Sequence, residues 1–499
     1  MATKSPHPSP TQAPAHPETA PTTSVVVVGA GPTGLLLAGD LVEAGLDVTV
    51  IDKRPANLSN LSRAFGVHAR TLEVLDMRGL AEDLLAHPSY KMDKVAAFGN
   101  AELDLSRLPT TFPYLLVCAQ PYVERVLRDR LERLGATIQH DTEVTGLAQD
   151  DDGVSLTVTG PDGTARSLRS DFAVGCDGVH SAVRHLIDLP FPGGPVMRGI
   201  MLADVLLAEP PARPTVHTNR QAFAFAAPFG DGYWRLTAWS RADQADDGEP
   251  SLDQVAAAAR QAFGSDYGMH SPRWISRFHS DERQVPRYRV GRVFLAGDAA
   301  HCHTPAGGQG MNTGMQDAAN LSWRLAAVAR GASLGLLDGY HAERHPVGAE
   351  VLRSSGRMAR LATARSRLAV AAREAVAPLV LGSPAVTRMA TMQISGLGIR
   401  YGRGPGDART VGTRVADHEL PDGTRLFEHL RAGRFALVGG AAPAWDSELA
   451  GWRNRVAFLT GPENQTVLVR PDGYTAWVGA PDPADVSVAL RTWCGEPAS

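Results

Sequence analysis

The chain has 499 residues, of which 43% are hydrophobic and 20% charged, with a formal net charge of −4. That length exceeds one ordinary domain and fits about three, and 50 Gly with 35 Pro imply many loops without a collagen-like period. The near-balanced charge gives no support for nucleic-acid or acidic-membrane binding, there is no apolar run of roughly 18 residues to span a bilayer, and Cys118, Cys176, Cys302 and Cys494 form neither a disulfide framework nor a zinc pattern.

Residues 1–23 carry six prolines and no large apolar side chain except Met1. They lack the apolar core of a secretory signal and are expected to be a disordered tail. Order is expected from the β-branched run Ser24-Val25-Val26-Val27-Val28, a strand buried on both faces. A helix from about Gly31 to Ala44 and a strand from Leu46 to Ile51 complete a βαβ unit of about 30 residues. Further along, Tyr122 to Leu134 reads as helix. Glu143 to Leu147, Val154 to Thr159, Leu168 and Phe172 to Val174 read as strands. Residues 196–240 alternate in polarity, as in Gln221-Ala222-Phe223-Ala224-Phe225-Ala226, and suggest an antiparallel sheet. Ser251 to Phe263 is expected to be helical, Arg292 to Leu295 a buried strand, and Met311 to Arg330 a helix closed by Gly331. Residues 402–424, rich in Gly, Asp and Arg, read as a linker. Strand-like runs at 435–438, 456–459, 466–469 and 476–478 and a helix over 484–493 then suggest a separate C-terminal α/β domain.

Gly29-Ala30-Gly31-Pro32-Thr33-Gly34 matches G-x-G-x-x-G between the first strand and its helix. The first glycine permits the tight turn, the second lets backbone approach a pyrophosphate, and the third allows close helix–strand packing. Asp52 closes the second strand, 18 residues after Gly34, where an acid bonds a ribose hydroxyl. Two later segments repeat the theme of a carboxylate at a strand end. One is Val174-Gly175-Cys176-Asp177-Gly178. The other is Val293-Phe294-Leu295-Ala296-Gly297-Asp298-Ala299-Ala300-His301, followed by Pro305-Ala306-Gly307-Gly308-Gln309-Gly310-Met311-Asn312 at a helix start. A glycine-rich helix N-terminus can stabilise the negative charge of a reduced flavin. There is no second strand–GxGxxG–helix unit to hold a nicotinamide nucleotide stably.

These three segments in this order resemble the single-component, p-hydroxybenzoate hydroxylase-like FAD-dependent aromatic monooxygenases over about residues 24–400. Ser62-Arg63-Ala64, the GDAAH to PAGGQGMNTGMQDA stretch and the C-terminal domain look most like the aromatic polyketide hydroxylases. The resemblance implies an α/β fold with a Rossmann-like FAD-binding domain (24–195 and 275–400, with some substrate-domain strands near 90–118), an inserted antiparallel-sheet substrate domain (196–274) and a C-terminal thioredoxin-like domain (401–499). It places Gly29, Gly31, Thr33 and Gly34 on the pyrophosphate, Asp52 and Lys53 at the adenine-side ribose, and Val144 near the adenine. It places Gln120 and Asp298 along the ribityl and phosphate portion, and Gly310, Met311 and Asn312 at the flavin's pyrimidine edge. Arg63 would contact the flavin and control its movement. Asp177 would serve both FAD and transient NAD(P)H docking, and Pro305 would sit where a C4a-hydroperoxide forms from O2.

The implied reaction is hydroxylation of a large aromatic polyketide-type compound in a reducing, cytoplasmic setting. A Baeyer–Villiger or antibiotic-inactivating oxygenation and a non-catalytic flavin-binding accessory role are the alternatives. Some positions read two ways from the residues alone. Asp177 could cap the following turn. Phe223 and Phe225 share one face, which is either core or, with Pro228, the roof of an aromatic-substrate cavity. Arg220 could meet a phenolate oxygen or stay in water. His301-Cys302-His303 fits no usual metal pattern, so no metal is expected. Cys494 stands alone, so the C-terminal domain has packing or a homodimer contact as its default role.

Overall fold

A computed structural model describes residues 22–56, 64–96, 101–244, 248–364, 366–402, 404, 406–440, 449–461 and 464–498. Residues 1–21 of the expected tail, and Ser62 and Arg63, lie outside the described residues.

The first half of the chain runs β1 (Thr22–Val28), α1 (Pro32–Glu43), β2 (Val48–Ile51), β3 (Gly66–Val67), α2 (Ala69–Asp76), α3 (Ala81–Leu85), β4 (Tyr90–Met92), β5 (Lys94–Ala96), β6 (Glu102–Asp104), β7 (Leu115–Val117), α4 (Gln120–Arg133), β8 (Ile138–Gln139), β9 (Glu143–Gln149), β10 (Val154–Thr159), β11 (Ala165–Gly175) and α5 (Ala182–Leu186). Valine at 25 to 27 is fully buried, as a strand covered on both faces requires. β1 starts two residues earlier than the valine run suggests, because Thr22 and Thr23 already pair with Arg169 and Ser170. The segments expected around Leu168 and Phe172 are one strand, β11.

The chain continues with β12 (Gly193–Leu207), β13 (Thr215–Thr218), β14 (Ala222–Pro228), β15 (Trp234–Ser240), α6 (Leu252–Phe263), β16 (Met269–Gln284), β17 (Arg289–Val290), β18 (Val293–Leu295) and β19 (His301–Cys302). Two sheets interleave here. The first has the order β17-β18-β11-β1-β2-β8, with β10 and β9 added as a hairpin beyond β11. β1 pairs in parallel with β2 and β11, and β11 with β18. Their C-terminal ends are flush: Val28 stands opposite both Ile51 and Gly175, and Gly175 opposite Leu295. The second sheet, β13-β14-β15-β12-β16-β19, is antiparallel throughout. It crosses the expected boundaries at 196 and 274, since β12 begins at Gly193 and β16 runs to Gln284. Its alanine face (Ala222, Ala224, Ala226, Ala238) buries against α6. Ser251 caps α6 by accepting from the Gln254 N–H, with Gln254 reciprocating as a capping box.

The remainder comprises α7 (Gly310–Ala329), α8 (Asp338–Ala362), α9 (Arg367–Leu381), α10 (Pro384–Ile394), α11 (Leu426–His429), β20 (Phe435–Gly439), β21 (Val456–Thr460), β22 (Thr466–Val469), β23 (Thr475–Gly479) and α12 (Pro483–Cys494). α7 packs along α1 beneath the first sheet. The C-terminal sheet has the order β21-β20-β22-β23. It docks on α7 through Trp323, whose ring lies 5.6 Å from Phe435 and 5.9 Å from Trp493. The 402–424 segment is not a loose connector. Tyr401, at its start, is buried, and Arg414 is ion-paired with the buried Glu73 of α2. Among the described residues, no single helix is long and apolar enough to cross a membrane.

Candidate active site

The flush strand ends bring the three motifs together. Gly29 has φ +104, and a Cβ there would stand 2.7 Å from the Cys176 carbonyl carbon. A Cβ on Gly34 would drive into the Gly29 carbonyl. These two glycines are therefore demanded by the protein's own packing. Gly31 is not, because a Cβ there would meet nothing within 4 Å. It is the N-cap of α1, where no side chain caps the helix and no acid lies in the first turn. A helix start with free amides beside open space suits a phosphate. Thr33 wedges between the two outer motifs: a Cβ on Gly297 would lie 2.8 Å from its Oγ1, and one on Gly314 would also meet it.

Asp52 is buried, and both of its carboxylate oxygens accept hydrogen bonds from the protein. The Ala30 N–H donates to Oδ2 at 2.6 Å, the Arg54 N–H to Oδ1 at 2.7 Å, and the Arg54 guanidinium pairs with both oxygens. Burial pushes this carboxyl up. The hydrogen bonds and charge of Arg54, with the Ala30 amide, outweigh that and hold it below its ordinary value. Lys53, expected beside the acid, is exposed, and its neighbour Arg54 makes the contact instead. Gln120 opens α4 and donates to Glu124 at 2.6 Å. Val144 is buried on β9 opposite Val158.

At the second motif, Asp177 caps the start of α5, its Oδ2 accepting from the Val183 N–H at 3.1 Å. The capping reading is thus correct for one oxygen. The other, Oδ1, is buried without a protein partner, and burial raises this carboxyl. Arg184 ties the segment to the third motif by donating to the Ala299 carbonyl at 3.0 Å. There Asp298 is exposed, while its neighbour Gly297 donates its N–H to the fully buried Asp317 at 3.1 Å. Asp317 also takes His301 Nε2 at 2.7 Å and Arg344 Nε at 2.7 Å. Burial raises the Asp317 carboxyl, and Arg344 and His301 more than offset it, so it sits below its usual range.

The loop before α7 is held by its own set of bonds. Asn312 accepts from the His68 N–H at 2.8 Å and donates to the carbonyls of Gly66 and Gly308, both at 2.8 Å. Its side chain is therefore occupied with loop geometry, leaving backbone at Gly310, Met311 and Asn312 to face a ligand. No side chain caps the α7 N-terminus. His68 Nε2 bonds the Gly307 carbonyl at 2.7 Å. Burial lowers His68 and His303 to about 4, so both are neutral near pH 7. Their second nitrogens, like Gln309 Oε1, are buried without partners. Pro305 is exposed at the tip of this loop.

The antiparallel sheet supplies an aromatic face on the side away from α6. Phe223 joins Ile200, Leu202, Trp239, Phe278 and Trp274. Phe225 packs 5.5 Å from Phe65, beside the 64–68 segment. The two phenylalanines are half-buried and each packs against a hydrophobic cluster of its own, whereas Ala222, Ala224 and Ala226 on the opposite face are fully buried. Pro228 ends the strand opposite Trp234, and Arg220 is half-buried at its start. The side chain that sequence reading missed here is Arg235. It forms a two-pronged buried pair with Asp204 (2.7 and 2.8 Å), with Phe229 and Trp274 around it. The only sequence signal for it was a charge inside an apolar strand. Arg54, His68, Asp317 and Arg344 were likewise missed.

Two helix starts without side-chain caps, a buried acid at a strand end and unpartnered polar atoms are arranged as a dinucleotide-type site would require. The FAD binding domain model matches residues 22–355, and the aromatic-ring hydroxylase C-terminal model matches residues 408–497. A 12-dehydrotetracycline 5-monooxygenase/anhydrotetracycline 6-monooxygenase from Streptomyces rimosus is 40% identical over 505 residues, covering 95% of this chain and 99% of that protein. A rifampicin monooxygenase from Streptomyces venezuelae is 39% identical over 482 residues, covering 94% and 98%. The solved structure of the anhydrotetracycline hydroxylase OxyS from Streptomyces rimosus superposes with a TM-score of 0.83 at 38% identity, covering 96% of this chain and all of that one. The chain belongs to the FAD-dependent aromatic-ring hydroxylases and is a monooxygenase that uses O2 and a reduced nicotinamide nucleotide.

Proposed function

We propose that the protein hydroxylates a large aromatic, polyketide-type compound. The chain is divided into a discontinuous Rossmann-like FAD-binding part, an inserted substrate sheet and a C-terminal thioredoxin-like unit. The observation that carries the site assignment is the open space over Gly31 at the flush strand ends, between Asp52 and the Gly297 turn. In this reading the Gly29–Gly34 turn and the α1 N-terminus hold the pyrophosphate. Asp52, braced by Arg54 and not by Lys53, takes the adenine-side ribose. Asp298 and Gln120 follow the ribityl and phosphate portion, and Val144 flanks the adenine. The backbone at Gly310 to Asn312 meets the pyrimidine edge. Asp177 offers its unpaired oxygen to FAD or to a docking nicotinamide nucleotide, Pro305 lies on the loop facing the ring, and Arg63 keeps the role of contacting the flavin.

When bound, FAD supplies hydride acceptance and oxygen activation. The chain's own part is to position the substrate and exclude water. Phe223 and Phe225 form the roof over a flat aromatic substrate, with Arg220 at its rim; Pro228, paired with Trp234 on the α6 side of the sheet, does not belong to that face. The relatives' names support the size and type of substrate.

The test is NADPH oxidation and oxygen uptake with a panel of tricyclic and tetracyclic phenols, followed by product mass analysis. The reading expects one of them to accelerate NADPH oxidation and gain one oxygen with its ring intact. A ring-expanded lactone would replace hydroxylation by a Baeyer–Villiger outcome. A colourless protein that neither binds FAD nor consumes NADPH would overturn the assignment.

A further inference from the structure

The C-terminal domain sends one turn, residues 470–474, into the underside of the flavin-binding part. Arg470 is buried there and grips Asp472 at 2.8 and 2.6 Å. Its remaining nitrogen donates to Glu343 of α8 at 2.8 Å. Asn320 of α7 donates to the same Glu343 at 2.6 Å and to Asp472 at 3.4 Å. The Asp472 carbonyl accepts from Arg70 of α2. The turn therefore bonds three helices of the neighbouring part at once, and every charge in it is paired.

Two arms lead from this hub to backbone of the cofactor cleft. In the first, Tyr474 packs against Tyr401 with ring centroids 4.3 Å apart and the rings tilted by 38°. The Tyr401 hydroxyl accepts from Arg344 at 3.2 Å. Arg344 pairs with Asp317, and Asp317 holds the Gly297 amide and His301. In the second, Arg70 lies in α2 two residues after His68, which fixes the Gly307 carbonyl and the Asn312 side chain. One arm ends at the Gly297-Asp298 turn and the other at the loop preceding α7. The ion pairs of this network are closed, while Tyr474 Oη, Arg70 Nε and His301 Nδ1 are buried without a partner; buried ion pairs add little net stability over apolar packing, so their role here is to set geometry.

We propose that the C-terminal domain, through Arg470, Asp472 and Tyr401, is a positioning element for the flavin site. It sets the two backbone segments that cradle FAD, and it does so without thiol chemistry. This rests on the FAD placement proposed above.

The test uses the full-length protein with five variants. Tyr401→Phe removes only the hydroxyl that Arg344 reaches. Asp472→Asn removes one charge and keeps the carbonyl that Arg70 uses. Arg491→Ala, in the exposed Arg491–Glu496 pair of the same domain, is the control. FAD dissociation is measured by fluorescence, the bound flavin by absorption spectrum and midpoint potential, and the fold by circular dichroism. The proposal expects FAD affinity to fall about 5- to 30-fold in Tyr401→Phe and Asp472→Asn, with shifted flavin absorption at unchanged secondary structure. It expects Asp472→Glu to restore part of the loss and Arg491→Ala to change nothing. Tyr401→Phe decides the matter if Asp472→Asn does not fold. Affinity and spectrum within twofold of the parent in Tyr401→Phe would overturn the proposal, leaving the domain as packing alone. A Gly31→Val variant separates the two levels. If it binds FAD normally, the placement itself fails; if it loses FAD while Tyr401→Phe does not, only the coupling fails.

Discussion

Gly31 and Gly34 lie three residues apart and should fail in opposite ways. A side chain at Gly31 enters open space, so Gly31→Val should leave the apo-protein's melting temperature nearly unchanged. FAD affinity should fall more than about tenfold, because the new branch occupies ground meant for the pyrophosphate. Gly34→Ala would press a methyl into the Gly29 carbonyl, which costs stability on the order of 1–3 kcal/mol before any ligand is considered. Thermal melting of the apo-proteins beside FAD titration distinguishes the two. His68, together with His303, carries a pH dependence at this scale. Its folded value is lowered to about 4 from 6.5, so between those limits the unfolded chain binds more protons than the folded one. Stability therefore rises with pH across that window and is lost as pH falls through it. His68→Gln should flatten the slope of unfolding free energy from pH 4 to 6.5 by up to about 1.4 kcal/mol per pH unit.

At the scale of elements, the Asp204–Arg235 pair joins directly opposed residues of β12 and β15. Arg235→Met leaves the buried Asp204 carboxylate with only the more distant Arg273, at 3.9 Å, as a charge partner and should cost up to about 3–5 kcal/mol, whereas Asp204→Leu with Arg235→Met should recover most of it. Denaturant unfolding of the single and double variants measures this. Ser251→Ala, which removes the α6 cap, should cost about 1 kcal/mol and leave FAD affinity untouched. The elements also differ in how plainly the chain announces them. β1, α1, β10, α6 and β22 stand close to where valine runs, a cap and alternation place them. β16 went unread because MHSPRWISRFHSDERQ has no alternation and contains Pro272; its strand form comes from pairing with β12. α8 has a polar sequence with Pro346 inside it, and its helicity is secured by buried partners such as Asp317. The Phe223 and Phe225 alternation identified a shared face but not its side of the sheet, which depends on where α6 packs. Asp52 was legible from its spacing. Arg54, Asp317 and Arg344 were not, since their partners lie in other elements.

At the scale of the whole molecule, the flavin cleft depends on parts far apart in sequence. Val28, Gly175 and Leu295 meet at the C-terminal ends of neighbouring strands, Phe225 of the second sheet packs on Phe65, and Tyr401 reaches Asp317 through Arg344. This arrangement suits an enzyme that must hold a flavin firmly while admitting a bulky substrate and a transient nicotinamide nucleotide. Monooxygenation of a polycyclic aromatic is the central claim, and incorporation of isotopically labelled dioxygen tests it most directly. A tricyclic or tetracyclic phenol that accelerates NADPH oxidation should yield a product carrying one labelled oxygen atom, with the label absent when only the water is labelled. Conversion of the substrate under strict anaerobiosis, or a product whose added oxygen comes from water, would contradict it.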